Sequence, residues 1–168
     1  MTRTSVTSPA VVLAVAAVAQ VILSFLLYNR NGDVTIRTAG WVVLWISAIF
    51  GWIPVFTLRK WGSVPRGQAY VHTTALVDRG VYGIVRHPQY LAGILLGVGL
   101  GLIVQHWVVG ILGAVVALIS YADTFGEERA LARKFGAEYT VYSHRVPRVN
   151  FVIGIVRLLS RSRSANSV

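Results

Sequence analysis

The chain contains no cysteine and only six acidic residues among 168. Without cysteine there is no disulfide framework, no thiolate metal site and no cysteine nucleophile. The histidines, at 72, 87, 106 and 144, show no ligand spacing, so no metal centre is expected either. Charge of any kind is scarce at 13%, while 55% of residues are hydrophobic, which is too apolar for a soluble domain of this length. The composition is that of an integral membrane protein. A net charge of +10 would suggest nucleic acid in a soluble chain, but here the cations cluster beside apolar runs. Anionic headgroups are the simpler partner, and no nucleic acid is expected.

Four apolar runs are present, at residues 10–28, 40–58, 90–104 and 107–125. The first contains no acid or base and follows a polar leader with one cation, Arg3. A cleavable signal peptide is the competing reading, but the basic leader is weak and the run continues through the small residues 14–19. The second run carries Trp41, Trp45 and Trp52 with Pro54 near its end; Trp41 reads as an interfacial belt residue and Pro54 as a tolerated kink. Only Gln105 and His106 separate the last two runs, which predicts a tight helical hairpin. Gly93, Gly97 and Gly101 recur every fourth residue on one face, where a neighbouring helix can approach closely.

Residues 78–93 read D-R-G-V-Y-G-I-V-R-H-P-Q-Y-L-A-G. Proline lacks the N–H that a first helical turn leaves unused, so Pro88 predicts a helix start with His87 just outside it. Taken alone, Tyr82, Arg86 and His87 there would serve equally as an interfacial anchor. Half of the acids fall at Asp123, Glu127 and Glu128, the end of the fourth run. Taken alone these are solvated flanking charges, but the hairpin brings them towards His87 and Tyr90, which predicts one polar site. Leu131, Phe135, Tyr139 and Tyr142 have the spacing of a helix lying in the interface, with a break or close contact at Gly136. Residues 149–159 are too short to span and are expected to rest on the membrane, ahead of a disordered polar tail from Ser160.

The expected architecture is therefore an all-α integral membrane helical bundle of about four transmembrane helices with a cytoplasmic C-terminal interfacial helix. Residues 1–58 form a two-span segment, 59–148 a core of loop, hairpin and interfacial helix, and 149–168 an apolar segment and tail. With a cytoplasmic N-terminus, most Lys and Arg share that side, so the polar site is expected to face the cytoplasm.

G-V-Y-x-x-x-R-H-P-x-Y-x-x-G at 80–93, E-E at 127–128 and F-G-x-E-Y-x-x-Y-x-x-x-V-P at 135–147 together resemble the isoprenylcysteine carboxyl methyltransferase and phospholipid methyltransferase superfamily. The resemblance covers residues 68–147; the first two runs match only in hydropathy. It implies a methyltransferase using S-adenosylmethionine, with cofactor contacts at Gln68, Thr74, Leu76, Val77, Tyr82, His87, Pro88, Tyr90 and Glu127. Thr74 stands where the family has His. Carboxyl-methylating members also carry Arg four residues before the Glu, where this chain has Asp123. Asp would repel a carboxylate and instead suit an amine or a hydroxyl proton.

The resemblance implies a lipophilic substrate entering from the bilayer, most like a prenylcysteine carboxylate, with a lipid amine or alkyl phenol as alternatives. Asp123, Arg86 and Arg129 are candidate substrate contacts, and Asp123 and Glu128 candidate catalytic groups. A carboxylate acceptor needs no base at neutral pH, whereas an amine or phenol must lose a proton. A small four-span transporter is the rival class, but the first two runs have no ionisable residue to couple transport. A non-catalytic assembly factor is disfavoured by the retained His87, Tyr90 and Glu127.

Overall fold

The computed structural model describes residues 9–165. Among them it contains no strand, only five helices and one short 3-10 turn: α1 Pro9–Leu26, α2 Val34–Trp61, the turn Gly80–Gly83, α3 Pro88–Val104, α4 Trp107–Arg145 and α5 Phe151–Ala165. The helices α2 and α4 are long and apolar enough to cross a membrane; α1 and α3 are apolar but shorter. At 1.5 Å per residue the 17 residues of α3 reach about 25 Å, short of a hydrocarbon core of about 30 Å. The polar leader lies almost wholly outside the described residues, whereas the small residues 14–19 lie within α1.

Two compact units are distinguishable, one built from residues up to Ala48 with Ala92–Asp123, the other from Ile49–Leu91 with residues from Thr124 on. In the first, α3 and α4 form the expected hairpin. Gln105 turns the chain with φ of 51°, a left-handed conformation that few non-glycine residues adopt. Its amide pairs with the backbone of Asp33 in both directions, donating from Nε2 to the carbonyl at 2.7 Å and accepting at Oε1 from the N–H at 2.9 Å.

The glycine face packs as its spacing predicts. A Cβ on Gly113 of α4 would lie 2.5 Å from the Gly97 carbonyl oxygen, and the faces of Gly93 and Gly101 meet Ser120 and Gly110. Gln20 of α1, 1% exposed, supplies Nε2 to the carbonyls of Gly97 at 2.9 Å and Val109 at 3.2 Å.

The 39 residues of α4 are two helical segments joined at Gly136, whose φ of 55° and ψ of −129° are not helical, the break expected at that glycine. The second unit corrects two expectations. The stripe Leu131, Phe135, Tyr139 and Tyr142 turns inward rather than to lipid, with Tyr139, Tyr142 and Val146 buried and Leu131, Phe135 and Leu76 packed on them. Helical spacing marks an apolar face but not its partner, and here the partner is protein. The segment from Ser160 is helical as far as Ala165 rather than disordered. The α5 helix is seated by Gly154, where a Cβ would lie 2.0 Å from the Ile84 carbonyl oxygen, and by Phe151, whose ring is 5.5 Å from that of Phe50.

Candidate functional site

His87 is the centre of the site because of what precedes and follows it. Pro88 begins α3, the His87 carbonyl accepts the first helical bond from the Leu91 N–H at 3.0 Å, and the N–H groups of Arg86 and His87 pair with the carbonyls of Pro147 and Arg148 at 3.0 and 3.1 Å. Pro147 cannot continue α4, so the chain leaves the helix extended and lies against residues 86–87. The imidazole is buried, 3% exposed. Its Nδ1 is 3.5 Å from Glu127 Oε2 and its Nε2 is 3.4 Å from Glu128 Oε1, so both ring nitrogens face carboxylates. The Tyr90 ring stands edge-on at 5.8 Å.

The two glutamates are consecutive on α4 and differ in environment. The Glu128 side chain is 15% exposed and neutralised from two sides, by Arg86 Nη1 at 2.8 Å and by Arg148, whose Nε donates to Oε1 at 3.0 Å and whose Nη2 donates to Oε2. A planar guanidinium matches a carboxylate with two parallel bonds, which orients it as well as neutralising it. Arg148 also lies over the Phe125 ring at 3.9 Å, which restrains its swing. The Glu127 side chain is 43% exposed, and among the described residues its one ion-pair partner is His87. It lines a cavity of about 100 Å³ together with Leu76, Val77, Tyr82 and Phe135.

A second cavity, of about 450 Å³, is lined by Phe125, Glu128, Arg129, Ala132 and Ser143. Arg86 and Tyr139 line both cavities. Arg86 Nε and Tyr139 Oη are buried without a hydrogen-bond partner, an arrangement that costs on the order of 1–3 kcal/mol per group unless a ligand or water meets it. Above the smaller cavity, Tyr142 Oη donates to the Tyr82 carbonyl at 2.8 Å, holding the 3-10 turn. Burial, with the Glu127 charge adding to it, pushes the Tyr82 phenol well above its ordinary range, so it is neutral.

Of the residues singled out from sequence, Leu76, Val77, Tyr82, Arg86 and Glu127 line the smaller cavity, and Arg86, Glu128 and Arg129 the larger. Tyr90 stands edge-on to His87, Pro88 is fully buried, and neither lines the two cavities. Gln68 and Thr74 are exposed and line neither; Thr74 instead donates its hydroxyl to the Ser63 carbonyl at 2.8 Å. Asp123 is half-buried on α4 and lines neither cavity. Sequence reasoning missed Arg148, Tyr139 and Gln89. Gln89 lines the smaller cavity and donates Nε2 to Tyr70 Oη at 2.7 Å. Among the described residues no cluster of three or more metal-ligating side chains occurs.

Comparison with known proteins places this geometry. Residues 35–138 match the phospholipid methyltransferase family profile. The chain is 32% identical over 99 residues to protein-S-isoprenylcysteine O-methyltransferase B of Arabidopsis thaliana, covering 54% of this chain and 50% of that protein. It is 30% identical over 125 residues to the protein-S-isoprenylcysteine O-methyltransferases of Mus musculus and Homo sapiens, covering 67% of this chain and 44% of each. The chain thus spans about half the length of these curated relatives. No solved structure matches. The family match spans both the hairpin and the clasped histidine, and the chain belongs to the phospholipid methyltransferase family.

Proposed function

We propose that this chain is an S-adenosylmethionine-dependent methyltransferase of the membrane that acts on a lipophilic substrate, its site facing the cytoplasm and its bundle crossing the bilayer about four times. The observation that carries the reading is the His87 clasp: Glu128 is paired with two arginines, while its neighbour Glu127, beside His87, lines a cavity whose walls are part polar and part apolar. A carboxylate in such a setting suits a cation that also bears apolar surface. S-adenosylmethionine supplies a sulfonium-bound methyl that is already activated for transfer. The donor set fits it: Glu127 would face the ammonium or sulfonium charge, Leu76, Val77 and Phe135 its apolar surface, and the unpartnered Tyr139 Oη and Arg86 Nε its acceptor oxygens.

The remaining work falls to positioning and to exclusion of water. His87 orients Glu127. Arg148 and Arg86 hold Glu128 ionised against its burial, which keeps a charged group on the wall of the larger cavity. The larger cavity, with Phe125 and Ala132 beside Arg129 and Ser143, offers an apolar wall and a cationic rim to an amphiphile. Its cations favour a carboxylate acceptor, and a carboxylate needs no base to accept a methyl; the relatives are named isoprenylcysteine O-methyltransferases. An amine or alkyl phenol, the alternative that Asp123 suggests, would need a base to take its proton, and Asp123 lines neither cavity. Gln68 and Thr74 would reach a ligand only after movement of the loop that carries them.

The test is equilibrium binding of S-adenosylmethionine to the purified protein, with Glu127→Gln alongside, followed by methyl transfer to prenylcysteine, ethanolamine lipid and alkyl phenol. Saturable binding lost in the variant and methylation of one acceptor support the reading. Folded protein that does not bind S-adenosylmethionine would refute it.

A further inference from the structure

A cavity in the first unit has no part in the site above. It measures about 550 Å³, within the range of small-molecule sites, and is formed where α1 ends, α2 begins and α3 ends. Its walls are apolar: Phe25 and Leu26 from α1, Trp41 and Leu44 from α2, Leu100 and Ile103 from α3. The cleft persists because α2 and α3 touch through glycines. A Cβ on Gly40 would lie 2.8 Å from the Ile103 backbone nitrogen, and one on Gly99 would lie 3.2 Å from the Gly40 carbonyl oxygen. With their backbones pinned there, the bulky Trp41 and Phe25 flank the space rather than fill it. Ser24 also lines it, but its hydroxyl is spent on the Gln20 carbonyl at 2.7 Å.

At the mouth sit Tyr28 and Arg30, and no acidic residue lines the cavity. Arg30, between α1 and α2, and Arg37, in the first turn of α2, differ sharply. Arg37 is committed to the protein, donating Nη2 to the carbonyls of Asn29 at 2.8 Å and Gly32 at 3.4 Å and lying over the Tyr28 ring at 5.1 Å. Arg30 is exposed and makes no hydrogen bond or ion pair among the described residues. The one acid nearby in sequence, Asp33, is occupied in accepting from the Ile36 N–H at 2.8 Å as the cap of α2. An apolar cleft thus opens beside a cation without a counter-ion, next to Trp and Tyr of the kind that sit at headgroup depth.

We propose that this cleft is a binding site for one anionic phospholipid, an acyl chain between α1 and α2 over α3 and the headgroup phosphate on Arg30. It is distinct from the methyl-transfer site and independent of what that site methylates. Arg30 selects charge and the cleft selects a chain.

The experiment is native mass spectrometry of the full chain released from nanodiscs of phosphatidylglycerol mixed with phosphatidylcholine. Expected are retention of one phosphatidylglycerol in preference to phosphatidylcholine, a loss of that preference of about fivefold in Arg30→Ala, and its recovery in Arg30→Lys. Leu100→Trp, which fills the cleft, should lose both lipids, and Arg59→Ala, a cation outside the cleft, should change nothing. Equal retention of the two lipids by the unaltered chain, or undiminished preference in Arg30→Ala, would overturn the proposal whether or not Leu100→Trp folds.

Discussion

Arg148 grips both oxygens of Glu128, twenty residues before it in the chain. That fork ties the segment after α4 back onto α4 and, through Glu128, onto Arg86 and His87. Replacing Arg148 with Ala leaves a mostly buried carboxylate with one cation fewer and should cost about 1.5–3 kcal/mol in thermal or denaturant unfolding in detergent. Arg148→Lys, which keeps charge but not the fork, should recover only part of it. Equal stability of Arg148→Ala and the unaltered chain would show that the fork is not formed.

Glu127 should behave in the opposite way. Its side chain is 43% exposed and, among the described residues, ion-paired only with His87, so Glu127→Gln should leave the unfolding midpoint nearly unchanged while weakening S-adenosylmethionine binding by about tenfold or more. Isothermal titration and a melting curve on the same preparation separate the two effects.

Three glycines give a graded test of packing. Gly113→Ala places a methyl against the Gly97 carbonyl and should destabilise the chain by about 1–3 kcal/mol. Gly110→Ala meets nothing within 4 Å and should be neutral or stabilising by up to about 1 kcal/mol. Gly136→Ala also has open space, but its φ of 55° disfavours a side chain, so it should destabilise despite the room. A melting-temperature series distinguishes a steric cause from a conformational one.

Burial raises the Tyr82 phenol in the folded state above its unfolded value of 10.0. The neutral phenol's contribution is therefore complete below about pH 10 and is lost as pH rises above it, since the unfolded chain releases that proton first. Stability should fall above about pH 10, and less steeply in Tyr82→Phe. Identical alkaline profiles for the two proteins would show that Tyr82 is not buried.

The smaller cavity, about 100 Å³, is below the usual 300–1,000 Å³ of ligand sites, and one wall is the non-helical segment 62–79. That segment is tied down by few bonds, among them Thr74 N–H to the Gly62 carbonyl at 2.9 Å and Lys134 Nζ to the Thr73 carbonyl. Ligand entry should move it. Hydrogen exchange across residues 62–79 should change on adding S-adenosylmethionine while α3 stays constant; an unchanged loop with measurable binding would sink this mode of entry.

Much of this was legible in sequence because it rests on local rules. Pro88 as a helix start, the Gln105–His106 turn, the four-residue glycine spacing and the acids at 127 and 128 each follow from one residue type at one position. Arg148 and Tyr139 were not legible as site residues, since nothing local distinguishes them from other interfacial Arg and Tyr. The inward turn of the Leu131 to Tyr142 stripe was equally hidden, because hydropathy cannot tell lipid from a protein core.

What the sequence by itself determined is a greasy, all-helical chain with its few acids gathered where a hairpin returns them to a histidine. The reason is that helix periods, breakers and charge scarcity act over a few residues. Only the tertiary structure decided which glutamate is neutralised and which stays available. That depends on Arg148 arriving after the turn at Pro147, a contact made by chain closure rather than by any spacing.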